Sequence, residues 1–199
     1  MKSKFLLLIV SVITLTVFGC SGVEIKAPLP AINLSESDAD KITGVWSFTN
    51  NGMLIESPVF VELDDNGVFQ MAMVEWKNND FVLERSEFVV SEGNDNLIIS
   101  LRQNSENGKS PEDVYMLVYF AIADGGDIVL WETDISAFEK LVADGVLQGS
   151  VRTGAYERVV SLTSTVDEIL TIIRSSDNRD LFKFKEPHVL RKISSVLSD

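Results

Sequence analysis

The stretch VFVELDDNGVFQMAMVEW, residues 59–76, decides the fold class. Two runs rich in β-branched, aromatic and other apolar residues flank Asp64-Asp65-Asn66-Gly67. Asn-Gly accepts the positive φ that a tight hairpin demands, so the pattern predicts two antiparallel strands. The same grammar repeats outward. Lys77-Asn78-Asn79-Asp80 turns into a run over 81–90, Glu92-Gly93-Asn94-Asp95 into 97–101, and Asp124-Gly125-Gly126-Asp127 joins 114–123 to 128–133. With the opening run at 43–48, about seven strands follow one another as a local meander. Residues 114–123 are apolar on both faces, which calls for cover on each side.

Towards the C-terminus the period changes. Ile135, Phe138, Leu141 and Val142 share a helical face ahead of Gly145, a natural helix stop. Residues 146–151 and 158–162 read as strands. Thr165 and Glu168 have capping-box spacing before the stripe Val166, Ile169, Leu170, Ile173. Residues 181–185 read as a short edge strand, and Pro187 as the start of a last amphipathic helix through Leu197. The expected fold is mainly β (α+β): an antiparallel meander forming a β-barrel or half-barrel of about eight strands, with two or three peripheral helices toward the C-terminus.

The N-terminus reads as an export signal. Lys2 and Lys4 precede an apolar run from Phe5 to Phe18, which is short for a membrane span of roughly 20 residues. Residues 21–40 contain Pro28 and Pro30 and a polar stretch from Ser35 to Asp40, and read as a flexible tether. The expected organisation is 1–19 signal peptide, 20–40 Cys20 and flexible tether, and 41–199 one β-rich domain.

Charge excludes one class of partner. Removing Lys2 and Lys4 from the 17 basic residues leaves 15 against 30 acidic ones, a net charge of −15. Such a surface does not neutralise phosphates, so nucleic acid is not expected as a partner. The chain has one histidine and one cysteine. His188 follows Pro187 and reads as a surface residue at a helix start. There is no His pair for zinc, no nucleophile elbow and no phosphate-cradling Gly loop. Asp64-Asp65-Asn66-Gly67 and Asp124 to Asp127 carry oxygen ligands but lack EF-hand spacing, and hairpin chemistry accounts for both. No catalytic residue, metal or cofactor is therefore assigned, although 30 acidic residues leave a carboxylate-based hydrolase open. Trp46, Trp76, Trp131, Phe69, Phe120 and Met71 are the candidates for a pocket wall or a core.

Two resemblances add to this. Val17, Gly19 and Cys20 resemble the lipobox of bacterial lipoproteins, which implies that Cys20 becomes the acylated N-terminus. Ser21 after it, by that family's sorting rule, favours the outer membrane over the inner. Multiple acyl chains make a stable anchor where one holds only marginally. Gly44-Val45-Trp46, the meander and the later helix weakly resemble the lipocalin or calycin layout. That layout implies that Trp46 closes the barrel base and that Arg158 packs over it. The functional expectation is a lipid-anchored, periplasm-facing envelope protein acting as a non-catalytic interaction or assembly module. Its partner would be another envelope protein, and the alternative is a barrel that binds a small apolar ligand.

Overall fold

The computed structural model describes residues 21–50, 53–77, 80–93, 97–103, 114–154, 158–175 and 178–193. Its turns follow the local chemistry. Asp64 Oδ1 accepts the backbone N–H groups of Asn66 and Val68, each at 2.9 Å, and Gly67 takes φ +78°. At the corresponding turn after residue 122, Gly126 takes φ +84°. These turns join β3 (Met53–Leu63) to β4 (Phe69–Lys77) and β7 (Tyr115–Ile122) to β8 (Ile128–Glu132), and antiparallel pairing of neighbours adds β2 (Gly44–Asn50), β5 (Asp80–Glu92) and β6 (Leu97–Arg102) to the same meander.

A seven-stranded sheet would leave unpaired backbone on β2 and β8. The C-terminal strand β11 (His188–Lys192) fills that gap, pairing antiparallel with both. Because β6 also pairs with β7, the eight strands close into a barrel. The expected helix from Pro187 is thus a strand over its described part. Residues 188–193 suit either period, and two waiting sheet edges decide between them.

Three further strands branch from the barrel. β1 (Ser21–Ile25) pairs antiparallel with the start of β7 through Glu24 and Ile25, and parallel with β10 (Arg158–Leu162). β10 pairs in turn with β9 (Gly149–Thr153). Residues 21–40 are therefore not a tether. Val23 and Ile25 are buried in the β1 sheet and Leu29 in the core beside it, where the Leu29 N–H donates to Ser100 Oγ at 3.0 Å. A short helix α1 (Glu36–Ile42) follows, capped by Ser35. Two prolines masked a five-residue strand whose apolar side chains are only Val23 and Ile25. Residues 21–40 consequently belong to the folded domain expected to start at 41.

α2 (Ile135–Ala143) and α3 (Val166–Arg174) lie where the helical stripes place them. α2 ends in a Schellman motif: the Gly145 N–H donates to Val142 O at 3.1 Å and the Val146 N–H to Leu141 O at 2.9 Å, with Gly145 at φ +71°. α3 starts with a full capping box between Thr165 and Glu168. Thr165→Ala is expected to cost about 1 kcal/mol, readable as a lower urea midpoint at unchanged slope. The expected strand over 181–185 is instead a 3₁₀ turn (Asn178–Leu181) and one bridge, Thr133 to Phe182.

Two cores result. The barrel interior holds Trp46, Phe69, Phe88, Val118 and Phe120. The second lies between the branch strands and α2 and α3, around Val23, Leu117, Phe138, Val160 and Ile169.

Candidate functional site

Strand alternation turns Met71, Val118, Phe120, Leu130 and Leu190 into the barrel. There they line an apolar cavity of about 70 Å³. One end is closed by α1 and Trp46. The indole N–H donates to Ile42 O at 2.8 Å, and Ile42 itself lines the cavity. Gly44 stands at φ +127°, and a Cβ there would meet the Lys192 side chain at 2.7 Å. Lys192 crosses this point to place Nζ 5.4 Å from the Trp46 ring centre. The glycine two residues before Trp46 thus has a physical cause: its backbone conformation is one that L side chains rarely adopt, and Lys192 lies where a Cβ would stand.

Arg158 does not take part in this closure. It opens β10, and its guanidinium pairs with Glu139 on α2. The basic group over Trp46 is Lys192, which sequence reading placed on a helix.

The other pocket candidates divide. Phe69 is buried and stacks on Phe88 with centroids 5.0 Å apart, and Phe120 is fully buried in the barrel. Met71 is half-buried in the cavity wall. Trp131 belongs to the outer core, 5.6 Å from Tyr119 and 5.5 Å from Phe184, and its Nε1 is buried with no acceptor among the described residues. Trp76 pairs in register with Phe81; its side chain lies outside the described residues, as does Cys20.

Sequence reading missed a polar cluster. Glu132 lies opposite Val118, and His188 opposite Leu130. Cross-strand partners share a face, so both side chains belong to the inner face beside the cavity-lining rings. Glu132 Oε2 accepts from Lys183 Nζ at 2.9 Å, and His188 Nε2 lies 3.5 Å from Oε1. The alternation His188, Leu190 was the available signal, obscured by Pro187.

The His188 hydrogen bond, followed by the Lys183 hydrogen bond and charge, holds the Glu132 carboxyl below its ordinary value, with burial opposing. A depressed carboxyl stabilises the fold above its unfolded value and loses that contribution as pH falls through the folded one. Glu132→Gln is expected to lower stability by about 1 kcal/mol near neutrality, with the difference from wild type vanishing under acid. Urea midpoints across pH check this.

Among the described residues no group of three or more His, Cys, Asp or Glu could hold a metal ion. No helix among them is long and apolar enough to cross a membrane. No family model, curated protein or solved structure matches the chain.

Proposed function

We propose that this protein is a lipid-anchored envelope protein, held by acylated Cys20 and facing the periplasm from the outer membrane, whose role is non-catalytic docking of another envelope protein. The observation that carries the docking role is the outer face of β3–β5. Phe60 is 46 % exposed, Leu83 50 % and Phe81 71 %. Register puts Phe60 opposite Ala72, Ala72 opposite Arg85 and, two residues along, Val74 opposite Leu83, so these groups share the face turned away from the barrel interior. Large apolar side chains grouped on an otherwise acidic surface mark a contact site. The chemistry inside the barrel supports a non-catalytic role: the Glu132 carboxylate is committed to Lys183 and His188.

A photo-crosslinker at Leu83, activated in intact envelope, is expected to give one discrete protein adduct. Phe81→Ser with Leu83→Ser should cost no more than about 1–2 kcal/mol, the loss of two cross-strand apolar pairs, leaving the barrel folded, and should abolish the same adduct formed from Phe60. Absence of any adduct overturns the docking role.

The apolar lining supports a second reading, a small apolar ligand in the barrel. At about 70 Å³ the cavity is far below the roughly 300 Å³ of ordinary ligand pockets and about half the 150 Å³ that admits benzene. Only a group of xenon or short-alkyl size fits without rearrangement. A thermal shift under xenon pressure, absent when Leu130→Phe fills the space, tests it.

A further inference from the structure

We infer that the end of the branch sheet carrying Ser21, Arg158 and Thr153 rests directly on the phospholipid headgroups. This rests on the proposed acylation of Cys20.

The argument is one of chain length. Consecutive Cα atoms are about 3.8 Å apart, so acyl chains on Cys20 leave Ser21 one residue from the lipid. Ser21 is not free to swing away. It is the first residue of β1, in register with Arg158, and Arg158 is in register with Thr153 on β9. The Arg158 N–H donates to Ser21 Oγ at 3.0 Å. Neighbouring strands lie about 4.8 Å apart, so Thr153 is about 10 Å from Ser21 along this row. The polar layer of a bilayer is of order 5–8 Å thick on each side. A sheet fixed at Ser21 therefore brings the exposed Arg158 and Thr153 to that layer.

The chemistry of the row suits the contact. Ser21 and Thr153 bring hydroxyls, and Arg158 brings a guanidinium group whose donors match phosphate oxygens. Glu139, bound to Arg158, limits the net charge, so the lipid and not attraction supplies the hold. The acidic remainder of the surface disfavours any other face turning to an anionic membrane. Asp80, at the tip of the β4–β5 hairpin, is axially remote: Glu24 is level with Phe88 through Met116 and Leu101, and Asp80 lies further along β5 on the side away from Ser21.

The test uses the full-length protein purified from its own envelope and placed in phosphatidylethanolamine–phosphatidylglycerol vesicles. With Cys20 acylated, Thr153→Cys or Asp80→Cys introduces a single thiol for a fluorophore. A headgroup-linked nitroxide lipid is expected to quench the label at 153 at least threefold more than the label at 80. Twenty Gly/Ser residues inserted between Cys20 and Ser21 should remove that difference. Mass spectrometry of the N-terminal peptide separates the two failures. An unmodified Cys20 overturns the anchoring and this contact together, whereas acylated Cys20 with equal quenching at both positions overturns the contact alone.

Discussion

Trp46→Ala is expected to be among the most destabilising single substitutions in the barrel, costing about 3–5 kcal/mol. The side chain is fully buried, closes one end of the cavity and is fastened to α1 through Ile42 O. Removing it enlarges an existing apolar void and leaves a buried carbonyl without its donor, two costs that add. Trp46→Phe retains most of the packing and loses the hydrogen bond, so its cost should fall to about 1–2 kcal/mol. Lys192 contributes through its position over the ring, worth about 0.5–1 kcal/mol, and through a bond from Nζ to Asp40 O at 2.9 Å. Double-mutant cycles identify which basic residue serves the tryptophan. Trp46 with Lys192 should show coupling near 0.5–1 kcal/mol, and Trp46 with Arg158 none. Coupling to Arg158 instead would mean that the base is closed as the lipocalin resemblance implies.

That contrast marks where sequence ceases to determine position. The hairpin at Asp64–Gly67, the Schellman end at Gly145 and the capping box at Thr165 were legible because their chemistry lies within five residues. The seven-strand meander was legible for the same reason, each strand pairing with its neighbour in the chain. β11 was not, because its partners Thr49 and Val129 are remote and its own pattern serves helix or strand. Lys192 and His188 were misplaced with it, which hid both the closure of Trp46 and the cluster around Glu132. Of the named pocket candidates, Trp46, Met71 and Phe120 line the cavity. Trp131 does not, because an isolated tryptophan on a two-faced apolar run gives no sign of which face it takes.

The segment least legible was 21–42, and it supports the second large prediction. A chain beginning at Thr43 is expected to lose cooperative unfolding, whereas one beginning at Ser21 keeps it. Val23, Ile25, Leu29 and Ile42 are each at most 2 % exposed. Burying each such side chain contributes about 1.5–3 kcal/mol, and a domain of this size is stable by only about 5–15 kcal/mol in all. Truncation also uncovers Leu117 and Val160 in the outer core and opens the cavity at Ile42. It removes the strand between β7 and β10, so β9 and β10 lose their connection to the barrel. Far-ultraviolet circular dichroism of the short chain should retain strand signal from the meander, while its urea transition becomes broad and shallow. Ile25→Ala in the longer chain gives a graded check, costing about 2–5 kcal/mol. Equal midpoints for the two chains would return residues 21–42 to the role of a spacer, and the barrel would then stand off the membrane by the length of that spacer rather than rest upon it.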